Sequence, residues 1–262
     1  PVFKDYSTYL MIFSTKFERI TNNKTLINGS LYSLFSFFGQ GCNFLILILV
    51  AGYILPADYG KLSIFNTIAT FSGYLIGLST YGYVSISYFR ETYSVFRKDF
   101  TAIIFIHALS FFVLTLVASL LTENMVKALE TTRPLIYYAL IISFGNLMFN
   151  IHQDYLRIKE RLKDYGIWSV GNALLNFILT IIFVISFRQG WLGRIDAQLV
   201  CMIIFATLAL ISFHHTRLFH VNYSWKRYRT ILLFGLPMIP HLASLWIKQG
   251  LDRYIINYHY ST

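Results

Sequence analysis

Pro237, His241, Ser244, Lys248 and Asp252 follow one another at spacings of four, three, four and four, so a histidine, a hydroxyl, an ammonium and a carboxylate share one face of a helix. Lys248, with Arg253 one turn on, has the charge to hold an anion, while His241 and Asp252 are groups able to take up and release a proton or bind an ion. On residue type and spacing alone two readings stand side by side. One is an interfacial anchor, with Lys248 and Asp252 paired at i, i+4 and Arg253 at the headgroups. The other is a cationic grip at the mouth of a cavity. Burying Lys248 at a bilayer centre would cost about 2.5–3.5 kcal/mol, which its place near the helix end avoids. Pro237 and Pro240 each remove a backbone N–H and crowd the preceding turn, so the helix is expected to kink or unwind at 237–240.

Uncharged polar residues recur at the same spacing elsewhere. Ser33, Ser36, Gln40 and Asn43 form one stripe, Asn66, Thr70, Gly73 and Gly77 a second, Ser143, Asn146, Asn150 and Gln153 a third, and Ser169, Asn172, Asn176 and Thr180 a fourth. A single amide in an apolar helix ordinarily hydrogen-bonds a neighbouring helix, and Gly73-x-x-x-Gly77 is a close-packing motif. Four stripes together are costly against lipid, so a shared water-filled cavity is the economical expectation. His107 and His152 lack a carboxylate or cysteine at ligand spacing, so core hydrogen bonding is expected for both and no metal or other cofactor is implied. No nucleophile elbow, glycine-rich phosphate loop or acidic metal motif is present, and the reading is not that of an enzyme.

The elements that carry these stripes follow from composition. Of the 262 residues 56% are hydrophobic and 13% charged, with mean hydropathy +0.55, outside the range of soluble domains. The apolar residues gather into seven runs at about 27–54, 61–88, 101–121, 134–153, 167–187, 197–214 and 231–251, each long enough to cross a bilayer as a helix that satisfies its own backbone. The fold expected is an all-α integral membrane protein, a polytopic bundle of seven transmembrane helices. The sixth run, with little beyond Thr207 and Ser212 to offer, is expected to face lipid.

Net charge is +10, and its distribution excludes nucleic acid as the partner. The N-terminal segment and the loops after the second, fourth and sixth runs hold fifteen of the Lys and Arg residues; the opposite segments hold seven. This positive-inside bias places the N-terminus and those loops in the cytoplasm, with attraction to anionic membrane lipid as a secondary effect. Cys42 and Cys201 lie inside apolar runs and read as small core residues.

Along the chain, 1–26 is a cytoplasmic or interfacial segment, weakly amphipathic up to about residue 20, and Met11 is as good a natural start as Pro1. A six-helix lobe over 27–214 follows. A basic cytoplasmic linker at 215–230 leads to a seventh helix within 231–262 that opens a second lobe.

Two stretches resemble a known family. The turn Leu55-Pro56-x-x-Tyr59-Gly60 after a long first helix, and the stretch "FGLPMIPHLASLWIKQGLDRYII", look like the first and seventh helices of Wzx-type oligosaccharide flippases of the multidrug/oligosaccharidyl-lipid/polysaccharide exporter superfamily. The resemblance spans about residues 25–258. It implies two pseudo-symmetric lobes around a central cavity in the bacterial inner membrane. It also implies flipping of undecaprenyl-pyrophosphate-linked oligosaccharide by alternating access, for O-antigen or other surface polysaccharide, alongside the polymerase and glycosyltransferases of that pathway. The chain supplies one lobe and one further helix, so the resemblance also implies a fragment or truncated product. Under it Gln40, Asn43, Asn146, Asn150 and Asn172 face the sugar, Arg90, Lys248 and Arg253 hold the anion, Asp252 and His241 couple to an ion or proton, and Pro237 and Pro240 form the hinge. The rivals are a drug or cation exporter of the same superfamily, which would want a buried carboxylate in the first lobe, expected here to be lacking, and an integral-membrane glycan polymerase or acyltransferase. A structural membrane subunit is a third.

Overall fold

Proline, apolar length and a few left-handed residues decide where the helices of this chain start and stop. The computed structural model describes residues 24–123, 126, 132–221, 223–240 and 244, and among these every regular element is helical. Helix α1 is Lys24–Ala51. Leu55 is extended and Pro56 opens α2, Pro56–Gly77, where its missing N–H has no partner to lose. The L-P-x-x-Y-G motif is therefore the first turn of a helix rather than a loop.

The second apolar run does not cross as one rod. Leu78 and Ser79 both adopt left-handed backbone conformations (φ 44° and 54°), a 3-10 turn follows at Thr80–Gly82, and α3, Tyr83–Arg90, departs at 53° from α2. Two successive non-glycine residues with positive φ are strained, so neighbouring contacts must hold them. Thr80 Oγ1 donates to the Gly77 carbonyl at 2.9 Å, and the buried His107 ring places Nε2 3.0 Å from that carbonyl and 2.8 Å from Thr80 Oγ1.

Helix α4 is Tyr93–Leu120, starting well before the expected residue 101, and α5 is Arg133–Ile158 with Pro134 in its first turn. A three-residue connection, with Glu160 left-handed, leads to α6, Leu162–Thr180, whose last part widens into a π-turn at Ile181–Ser186. Helix α7 is Gly190–His215, and α8, Trp225–Gly235, passes into a 3-10 turn at Leu236–Met238. The connections are shorter than hydropathy suggests, because amphipathic turns at the helix ends carry charges without ceasing to be helical.

Among the described residues five helices are long and apolar enough to cross a membrane, or six when the bent α2–α3 pair is taken as one span. The expected seventh span is represented by α8 and its continuation to Pro240; the rest of it lies outside the described residues, as does the N-terminal segment before residue 24. Helix α5 is central, touching α2, α3, α4, α6 and α7, while α1 packs against α6 at the periphery. Half of α5's apolar window is buried, against 17% of α1's. The sixth run corrects an expectation: α7 is no lipid-facing strut but the main partner of α5, burying Ala197, Cys201, Met202, Phe205, Ala209 and Phe213 and leaving Ile204, Leu208 and Ile211 outward. Gly145 makes this possible, since a Cβ there would lie 2.9 Å from Met202 Cβ and 3.1 Å from the Met202 carbonyl oxygen.

Candidate functional site

The stripes on α2 and α5 meet. The two helices run side by side in register, with Gly73 facing Ser143 and Gly77 facing Leu147. The Ser143 hydroxyl lies 2.5 Å from the Ala69 carbonyl of α2 and 2.6 Å from the Ala139 carbonyl of its own helix, so its single proton is shared between them. Small residues bring the backbones together at the bottom, and the larger polar residues on either side frame a cavity of about 610 Å³. Its size is that of a small-molecule site.

Five amides line this cavity: Asn66 on α2, Asn146, Asn150 and Gln153 on α5, and Gln198 on α7. Hydroxyls come from Thr70, Tyr74, Ser79, Tyr81 and Ser143. Ser79 sits at the break between α2 and α3, is 8% exposed, and its Oγ has no hydrogen-bond partner among the described residues. At the end next to the α5–α6 connection the wall carries one ion pair, Arg157 Nη2 to Asp154 Oδ1 at 2.5 Å. Asp154 is mostly covered, with 19% of its side chain exposed, while Arg157 is open at 56%. Such a surface offers donors and acceptors in fixed directions plus one cation and one anion.

Of the residues expected to face sugar, Asn146 and Asn150 line the cavity. Gln40 and Asn43 are exposed on α1 and belong to a different face of the lobe. Asn172 is turned into the α6–α7 contact, its Nδ2 donating to Cys201 Sγ at 3.5 Å. Arg90 is exposed at the end of α3 and does not line the cavity. Pro237 sits in the 3-10 turn after α8 and Pro240 in the helical residues beyond it. His241, Lys248, Asp252 and Arg253 lie outside the described residues.

Four stripes were expected to share one cavity; two do. Of the α1 stripe, Ser36 Oγ meets Tyr165 Oη of α6 at 3.3 Å while Gln40 and Asn43 stay exposed, and from the α6 stripe Ser169 donates to the Phe35 carbonyl of α1 at 3.5 Å. Lower on α6, Arg194 of α7 donates to Asn176 Oδ1 at 2.9 Å and to Thr180 Oγ1 at 3.4 Å. The two mid-chain histidines are core residues, His107 as above and His152 bonded to Ser212 Oγ at 2.9 Å with its ring 4.1 Å from that of Trp168.

Sequence reasoning missed Asp154 and Arg157, although the α5 stripe points to both: steps of four from Asn150 and Gln153 reach them. It also expected no buried carboxylate in this lobe, whereas one is buried, Asp99, and a second, Asp154, is mostly covered. Asp154 is in the cavity wall. Asp99 on α4, 4% exposed, accepts from Arg227 Nε at 2.7 Å and from Ser87 Oγ at 2.6 Å.

No family model and no curated protein matches this sequence. Solved structures do match in fold. An outward-facing multidrug resistance MATE transporter of the MOP superfamily aligns with TM-score 0.57 at 17% identity, over 84% of this chain and 53% of that one. The Vibrio cholerae MATE transporter VcmN in its bent form aligns with TM-score 0.57 at 15% identity, over 87% and 58%. A MATE structure in complex with Br-NRF gives 0.52 at 19%, over 83% and 54%. The chain thus has the helical fold of MATE transporters and spans a little over half the length of those it matches. What this chain shares with these proteins is the fold.

Proposed function

We propose that this chain is the first lobe of a bacterial inner-membrane transporter that works by alternating access, and that its cargo is a lipid-linked oligosaccharide. The observation that carries the reading is the cavity between α2 and α5, with five amides, five hydroxyls and a single exposed arginine on its wall. Sugar hydroxyls both donate and accept, and neutral amides match them in both roles without the desolvation cost of charged groups. Arg157, at the end of the cavity, supplies charge-assisted donors for a phosphate carried with the sugar. Alternating access requires a site that binds differently in two states, and a cavity open on one face of a lobe is such a site once a second lobe opposes it. Polymerase and glycosyltransferases of the same surface-polysaccharide pathway are the partners this reading entails.

The drug or cation exporter is the second reading, and Asp154 favours it: a largely covered carboxylate in the same wall is what an organic cation would seek. Disruption of the gene, with complementation by the full-length gene and by Asn150→Leu/Gln153→Leu, separates the two. Loss of surface polysaccharide, restored by the natural gene and not by the double variant, supports the flippase. Unchanged polysaccharide with increased sensitivity to cationic dyes, restored by the natural gene, would sink it in favour of the exporter.

A further inference from the structure

The connection from α7 through α8 carries a second surface. From His214 to Gly235 there is no acidic residue and there are four cations. One of them, Arg227, turns inward to Asp99. The other three, Arg217, Lys226 and Arg229, are exposed and stand in no ion pair among the described residues. Between them lie Val221, Tyr223 and Trp225, 88%, 78% and 66% exposed.

Helix α8 sorts these groups by face. Arg227, Ile231 and Gly235, at spacings of four, form an inner stripe: Arg227 on Asp99, Ile231 fully buried, and Gly235 so close to the bend that a Cβ there would fall 2.2 Å from the Leu78 carbonyl oxygen. Trp225, Arg229 and Leu233 repeat at the same spacing two residues out of phase, which puts them on the opposite side of the helix. The inner stripe fixes the height and rotation of α8 on the lobe, and thereby the direction in which the outer stripe points.

We propose that this outer surface, Arg217, Val221, Tyr223, Trp225, Lys226 and Arg229, docks on an anionic lipid leaflet, the aromatic and aliphatic side chains entering at headgroup depth and the three cations meeting lipid phosphates. Charge complementarity carries the choice of partner. Apolar side chains interleaved with cations suit a bilayer surface, whose outermost layer is phosphate and whose next is hydrocarbon. Nucleic acid would leave Val221 in water. The surface also continues into apolar Leu233 and Leu236, both exposed on the helix that follows the same side of the lobe.

The test uses this chain with Val221→Cys carrying a nitroxide; its Cys42 and Cys201 are buried and escape the label. The protein is reconstituted in phosphatidylcholine vesicles with and without phosphatidylglycerol, and label depth is read from collisions with membrane-dissolved oxygen and with a water-soluble nickel chelate. With phosphatidylglycerol the label meets oxygen and escapes nickel; without it, or in high salt, nickel access rises. Arg217→Gln/Lys226→Gln/Arg229→Gln gives the shallow result in both lipids. Equal depth in the two lipids, no change in the triple variant, or a label hidden from both reagents, which would mean a protein partner or second copy covers it, each overturns the proposal.

Discussion

Breaking the Asp99–Arg227 pair from either side should destabilise the protein unequally. The Asp99 carboxylate is held at both oxygens, Oδ1 by Arg227 Nε at 2.7 Å and Oδ2 by the Ser87 hydroxyl at 2.6 Å, and only 6% of its side chain is exposed. Arg227 is 18% exposed and lies on α8. Two unit charges about 4 Å apart attract by roughly 4 kcal/mol at an effective dielectric of about 20, and removing one partner of a buried pair typically costs about 3–5 kcal/mol because the other stays buried and uncompensated. Arg227→Gln strands the carboxylate, which has no route to water, and belongs at the upper end of that range. Asp99→Asn leaves an arginine whose long stem lets the guanidinium move outward, so its cost is smaller, about 1–3 kcal/mol. The double variant removes both charges, so the coupling is favourable by about 2 kcal/mol, well above the roughly 0.5 kcal/mol within which independent sites add. Equilibrium unfolding in mixed micelles of the natural protein, both singles and the double supplies all four values. Additive singles, or Asp99→Asn as the worse of the two, would refute the reasoning.

Two glycine substitutions test close approaches. Gly235→Ala drives a methyl against the Leu78 carbonyl oxygen and the Thr80 methyl, and should cost about 1–3 kcal/mol or more, read as a lower midpoint of thermal unfolding in detergent. Gly145→Ala, whose Cβ meets the backbone and Cβ of Met202, should destabilise similarly by forcing α5 from α7, whereas Gly39→Ala, with nothing within 4 Å, should be neutral or stabilising by up to about 1 kcal/mol through helix propensity. A ranking with Gly39→Ala as the most harmful contradicts the packing described above.

What was legible in the sequence followed from solvent. Lipid imposes a length and an apolar composition on every span, so the apolar runs marked where helices lie, although α4 and α7 begin eight and seven residues before the expected starts, and the four polar stripes stood out because lipid would not tolerate them. The break at Leu78–Ser79 was not legible, since neither residue is a glycine or proline and the left-handed backbone is held, together with the adjacent Thr80, by His107 from a different helix. Gly235 was hidden for the same reason: its closest neighbour is Leu78, far away in the chain.

By itself, then, the sequence determined the class of protein, the approximate course of the apolar helices and the face of each helix on which polar groups lie, because hydropathy and the 3.6-residue period are local properties. Only the tertiary structure decided which faces meet. It joined Ser36 and the Phe35 carbonyl of α1 to α6, gave Asn176 and Thr180 to Arg194, and turned the stripes of α2 and α5 with Asp154 and Arg157 into one cavity. The reason is physical: inside lipid no hydrophobic force sets helix against helix, so rotation and partner choice rest on small residues such as Gly73, Gly77 and Gly145 and on hydrogen bonds between distant parts of the chain.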